Sequence, residues 1–150
     1  MPDKAKKIYN SLVKSLKEIE WNFSQNDEGL STYSTMGTDD FPVDMYMKVF
    51  PELEIISLSS EIPFVIPEDK KINIIVAINL INAKINIGNF EYNDQNKKIV
   101  YRLSTSYIGL EEVTKELANS LIFAIGSIVD KYNDKFFMLI KGKLSLKDFE

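Results

Sequence analysis

Asp39, Asp40 and Asp44 cluster around a loop, and carboxylates so placed could recruit Mg²⁺ or Ca²⁺ through hard oxygen ligands. Their spacing matches neither an EF-hand loop nor a two-metal motif, so a solvated acidic loop is the expectation. Glu111, Glu112 and Glu116 read as first-turn acids that suit the positive end of a helix dipole. Acid–base chemistry by paired carboxylates or Tyr–Lys groups uses residues that almost any chain contains, so their presence selects nothing. The absences are more selective. The chain holds no cysteine and no histidine, which removes disulfides, thiolate nucleophiles, imidazole and thiolate metal sites, and the Ser-His-Asp and Cys-His mechanisms. Its six glycines are scattered at Gly29, Gly37, Gly88, Gly109, Gly126 and Gly142 and form no phosphate loop. A protein without catalytic residues and without a cofactor or metal is the expectation.

Charge narrows the partners. A formal net charge of -4 and a single arginine, Arg102, argue against a general nucleic-acid binder, which needs excess cations to release counterions from phosphate. Lys4, Lys6, Lys7, Lys14 and Lys17 interrupt the apolar residues of the first twenty positions. They leave no signal-peptide core, and no run elsewhere approaches the ~20 apolar residues of a membrane span. A cytoplasmic location without membrane attachment follows as the expectation. With 150 residues, 45% of them apolar, one domain over 1–150 with a single core is predicted.

The elements that would carry any site follow from periodicity. Ala5, Ile8, Leu12, Leu16 and Ile19 recur at helical spacing after Asp3, which can cap a first helix over 3–19 with its lysines facing solvent. Trp21 and Phe23 begin a period of two, Asn26-Asp27-Glu28-Gly29 reads as a turn, and 30–36 returns as the second arm of a hairpin. Val43, Met45, Met47 and Val49 alternate with polar residues as a third strand, the methionines filling the core or lining an adaptable surface. The β-branched stretch 53–62 makes a fourth. Pro67 suits the first turn of a second helix over 68–84, with Glu68 and Asp69 at its positive end. A second hairpin spans 85–93 and 97–104, with Gly88 as a bulge. A long third helix follows Gly109, its stripe running Leu110, Leu117, Leu121, Ile125, Ile128, Tyr132, Phe136 and Leu139, and Gly142 ends it. The order α-β-β-β-β-α-β-β-α, without regular βαβ alternation, predicts an α+β fold: an antiparallel sheet packed by helices.

The stretch 72–149 runs through the helix Ile75-Val76-Ala77-Ile78-Asn79-Leu80-Ile81-Asn82, then Ile87-Gly88-Asn89-Phe90-Glu91-Tyr92, then Ile99-Val100-Tyr101-Arg102. A long helix and the closing run Ile140-Lys141-Gly142-Lys143-Leu144-Ser145 complete the order. In that order the stretch resembles the YbjN family, bacterial regulators whose domains are similar in fold to type III secretion chaperones. The resemblance implies a regulatory or chaperone-like role and brings no catalytic residues with it.

The second helix is apolar nearly all round. Ile72, Val76 and Leu80 form one stripe, and Ile74, Ala77, Ile78 and Ile81 form another. One stripe must meet the sheet, and the other is either buried within the monomer or offered to a partner. Phe123 and Phe137 project toward the polar side of the third helix. Ile74, Ile78, Ile81, Phe123 and Phe137 are therefore the expected interaction surface of a non-catalytic module, a homodimer that engages a peptide or protein segment. The alternative is a small-molecule sensor with its ligand between sheet and helices.

Overall fold

The alternation that predicts strands also decides which side of the sheet is covered. In the computed structural model, which describes residues 2–150, six strands form one antiparallel sheet in the order β1-β2-β3-β4-β6-β5. They are β1 (Ser24–Asn26), β2 (Ser31–Met36), β3 (Val43–Phe50), β4 (Ile55–Glu61), β5 (Asn89–Asn93) and β6 (Lys98–Ser106). Met1, included in the single-domain reading, lies outside the described residues. The register sets Met47 opposite Leu58, and Leu58 opposite Leu103, so the buried residues of β3, β4 and β6 share one face. The methionines Met45 and Met47 are core residues. The other face carries Tyr33, Tyr46, Lys48, Ser57, Ser59 and Arg102, in keeping with an antiparallel sheet that stays solvated on one side.

Three helices supply the second layer: α1 (Pro2–Glu18), α2 (Lys71–Asn82) and α3 (Lys115–Ile140). The element order is the predicted one. Ala5, Ile8, Leu12 and Leu16 of α1 are buried as their spacing requires. The helix stops where Glu20 takes a left-handed φ of 57° and the Trp21 N–H turns back to the Leu16 carbonyl at 2.9 Å. Gly142 ends α3 in the same way, at φ 71°, with the Lys143 N–H on the Met138 carbonyl at 2.9 Å. At its other end α3 starts later than Leu110, because Thr114 is the cap and its hydroxyl accepts from the Leu117 N–H at 3.2 Å. Leu110 belongs to the preceding loop. That loop is stapled to α1 by two serines one turn apart: Ser11 Oγ accepts from the Val113 N–H (2.8 Å), and Ser15 Oγ donates to the Val113 carbonyl (2.6 Å).

Boundaries shifted elsewhere too. Trp21 and Phe23 precede β1 instead of forming it, since Trp21 spends its indole N–H on Ser34 Oγ at 2.9 Å. The strand expected from residue 85 starts only at Asn89. Gly88 holds φ 67°, and a Cβ there would stand 2.6 Å from the Arg102 carbonyl oxygen, so only glycine lets the chain enter β5 this closely.

Asn82 fixes α2 against the edge of the sheet. Its side-chain amide donates to the Phe90 carbonyl at 2.9 Å and accepts from the Phe90 N–H at 2.8 Å. Phe90 therefore points both backbone groups away from β6, and the amide takes both. Above this clasp, the Phe90 ring packs edge-on to Tyr132 and Phe136 at centroid distances of 5.8 and 5.3 Å, locking α3 over the same strand.

Tyr9 is the buried polar link between α1 and the β1–β2 turn, and its hydroxyl donates to Asp27 Oδ1 at 2.9 Å. Burial first, then that hydrogen bond and the carboxylate's charge, push its pKa from 10.0 up to about 12. A folded state that holds a proton more tightly than the unfolded chain is fully favoured below the unfolded pKa and loses that advantage as pH rises. Urea stability should thus fall between pH 10 and about 12. Burial also raises Tyr101 and Tyr107, so they share the decline. Tyr9→Phe should cost about 1 kcal/mol at neutral pH and make the alkaline decline shallower. A Tyr9→Phe protein with unchanged midpoint and unchanged alkaline slope would show that the Asp27 contact contributes nothing.

Candidate functional site

The two apolar stripes of α2 are real, and the clasp at Asn82 decides between them. Ile74, Ala77, Ile78 and Ile81 face the core, with Ile74 fully buried, so the expected surface of Ile74, Ile78 and Ile81 is corrected. These three hold the helix to its own sheet. The opposite stripe is outside: Ile72 is 69% exposed, Ile75 40% and Val76 38%. Leu80 is half-buried. Periodicity places residues on a cylinder and leaves open which side of the cylinder meets the sheet. Here hydrogen bonds at the helix end choose it.

The two phenylalanines of α3 part company. Phe137 is half-buried in an aromatic trio with Phe41 and Phe64, at centroid distances of 5.3 and 5.6 Å, and Lys141 Nζ lies 5.3 Å from its ring centre. Its ring ties the β2–β3 loop and the segment after β4 to the end of α3, which removes it from the expected free surface. Phe123 is 75% exposed, as its position on the helix predicts. The five expected residues therefore do not form one patch.

What surrounds Phe123 is a groove of about 390 Å³ between α3 and the end of β2, lined by Met36, Ile122, Phe123, Gly126 and Asp130 among others. Gly126 is the floor. A Cβ at this position would lie 2.7 Å from Met36 Cε, so the missing side chain is what lets the thioether lie against the helix. Met36, a flexible and polarisable side chain, gives the wall room to repack. At the far end stands Asp130, whose Oδ1 is shut off from solvent and accepts no hydrogen bond among the described residues. Two signals for the groove were in the sequence: a glycine inside a long helix, and a phenylalanine one turn before it on the polar side. Neither points to Met36, which arrives from another element.

The acidic loop shows no convergence. Asp44 accepts from Thr35 Oγ1 at 2.8 Å across the β2–β3 ladder, Asp39 and Asp40 are exposed, and no three acidic side chains gather around one point among the described residues. No helix among the described residues is long and apolar enough to cross a membrane.

No protein-family model matches the chain, and no curated protein matches it. Solved structures do. YbjN of E. coli, a protein proposed to be a transcription regulator, superimposes with a TM-score of 0.61 at 16% identity, over 84% of this chain and 91% of that one. ExsC, from the crystallised ExsC–ExsE complex, gives a TM-score of 0.59 at 13% identity, over 85% of this chain and 92% of the other. The chain has the type III secretion chaperone-like fold that it shares with both.

The orientation of α2 has a direct test. Ile74→Asp should abolish cooperative unfolding, because an unpaired buried charge costs several kcal/mol against a total stability of about 5–15 kcal/mol. Ile72→Asp should change the melting temperature little. Circular dichroism melts of both variants check this, and the reverse ranking would show that α2 sits the other way round.

Proposed function

We propose that this chain, as one domain over residues 1–150, is a non-catalytic, cytoplasmic, regulatory or chaperone-like module that binds a segment of another protein along the α3–β2 groove. The observation that carries this reading is Phe123. A side chain of this size left 75% exposed, on the rim of an apolar concavity floored by glycine, is a contact surface kept clear. Aromatic anchors beside such grooves dominate the energetics of segment recognition. The shared fold supports the reading, since ExsC is found assembled with ExsE. So does the long, open form of the groove, which is bounded by one helix and one strand end and suits a chain segment better than an enclosed small molecule.

A second surface supports self-association. Ile72, Ile75 and Val76 line the outer face of α2, and pairing two copies across this stripe would cover the apolar residues that the sheet leaves bare. Homodimerisation through this face replaces the Ile74–Ile78 stripe as the proposed contact.

Two measurements check these proposals. A photo-crosslinking amino acid placed at Phe123 should trap a discrete polypeptide other than the chain itself, and Phe123→Ser should abolish co-purification of that polypeptide while leaving the melting temperature unchanged. A small molecule retained in native mass spectrometry, with no polypeptide trapped, would favour a sensor instead. Light scattering should report a dimer for the wild type and a monomer for the double variant Ile72→Asp, Val76→Asp, with circular dichroism unchanged. A wild type that stays monomeric at high micromolar concentration would end the dimer proposal.

A further inference from the structure

The sheet face that no helix covers holds a hollow of about 220 Å³, lined by Tyr46, Lys48, Phe50, Ser57, Ser59 and Arg102. The ladder explains its shape. Tyr46 stands opposite Ser59, Ser59 opposite Arg102, and Lys48 opposite Ser57. Neighbouring strands lie about 4.8 Å apart, so two short serines on β4 are flanked by long side chains from β3 and β6. Most charges on this face are used within it: Glu61 accepts from Lys98 and Asn96, and Asp44 accepts from Thr35. Lys48 is the exception. It enters no ion pair or hydrogen bond among the described residues, and its ammonium lies 5.1 Å from the centre of the Phe50 ring. Arg102 spends one of its five N–H groups on Glu91 Oε1, at 2.6 Å. Glu91 belongs to β5 and Ser59 to β4, on opposite sides of β6, so the rest of the guanidinium fork is left for the hollow. Ser57 Oγ accepts from Ser104 Oγ at 3.1 Å, which leaves its own proton to give, and Ser59 Oγ has no partner among the described residues.

We infer that this hollow binds the phosphate group of a small molecule, its oxygens taking hydrogen bonds from Lys48, Arg102 and the hydroxyls of Ser57 and Ser59. The site is separate from the α3–β2 groove and does not depend on how that groove is read. No carboxylate lines the hollow, and its polar side chains all have protons to donate. Donors arriving from three strands suit a tetrahedral group with acceptors in several directions, and two cations match its charge. The bond to Glu91 holds the guanidinium in one orientation beforehand, which lowers the ordering cost of binding. The neighbouring row limits the occupant to one phosphate. Asp44 and Glu61 lie two residues along from Tyr46 and Ser59 on the same face, about 7 Å away, so a second phosphate in that direction would meet carboxylates. Tyr46 and Phe50 offer apolar walls to whatever carries the group.

Amide chemical shifts, followed while inorganic phosphate or phenyl phosphate replaces chloride at constant ionic strength, provide the test. In wild type the shifts should concentrate at residues 46–50, 57–59 and 102–104. Lys48→Gln should weaken binding about tenfold, the scale of a hydrogen bond to a charged group, while its melting temperature stays that of wild type. Lys48→Arg, which keeps the charge, should retain binding, and the double variant Ser57→Ala, Ser59→Ala should weaken it severalfold. Lys6→Gln, at an exposed lysine of α1, should change nothing. Tighter binding of phenyl phosphate would assign the site to a phosphate ester lying on Tyr46 and Phe50, and equal or weaker binding would assign it to the free ion. Shifts spread as strongly over the lysines of α1 as over the hollow would overturn the inference. So would a folded Lys48→Gln protein that binds phosphate as wild type does, or the lack of any shift at tens of millimolar phosphate.

Discussion

A sheet with a single apolar face has to be shared among three helices, and the rest of the molecule follows from how they share it. β3, β4 and β6 put Met45, Met47, Ile56, Leu58, Tyr101 and Leu103 on one side and serines, tyrosines and charges on the other. All three helices must then compete for the same surface. α3, the longest, crosses the centre and meets β3, β4 and β6, α1 packs beside it over β3, and α2 is left at the β5 edge. A helix at an edge can bury only one flank, which is why an element apolar on both sides keeps Ile72, Ile75 and Val76 in solvent. α3 likewise leaves one flank toward β2, where no further helix among the described residues fills the space beside Phe123.

Element order and the direction of each strand's alternation were legible in the sequence, because both depend on local patterns: period two over 43–50, helical spacing in α1, and a glycine stop at Gly142. The rotation of the helices was not legible. On α3 the buried set includes Ile122, Gly126 and Asn133, a stripe turned from the expected one through Leu117 and Ile128, which are only half-buried. On the turned stripe Gly126 meets Met36, which reaches α3 from the end of β2. The same limit explains the candidate site. Phe123 stood out as an apolar residue on a polar face, whereas Met36, at the end of β2, is brought against Gly126 only by the fold.

The molecule places its unspent interactions on opposite sides. The outer face of α2 is purely aliphatic and self-complementary by type, the surface chemistry that suits a second copy of the chain. The α3–β2 groove combines an aromatic rim with an adaptable thioether over a glycine floor. Both lie on the helical layer or its border. The uncovered face of the sheet instead has its charges largely satisfied locally, with Arg102 on Glu91 and Lys98 on Glu61.

The Asn82 clasp also bears on how the protein stays apart from its neighbours. An edge strand with free N–H and C=O groups is a template for any other chain in extended form, and runaway pairing of such edges builds fibres. At β5 the side-chain amide occupies the backbone donor and acceptor of Phe90, imitating the strand that would otherwise arrive, while the bulk of α2 stands where that strand would lie. At the other border β1 offers only three residues, all polar and exposed, too short a ledge for stable addition. One border is plugged and the other truncated, so the sheet stops at six strands, and what two copies can do to one another is confined to the helical side.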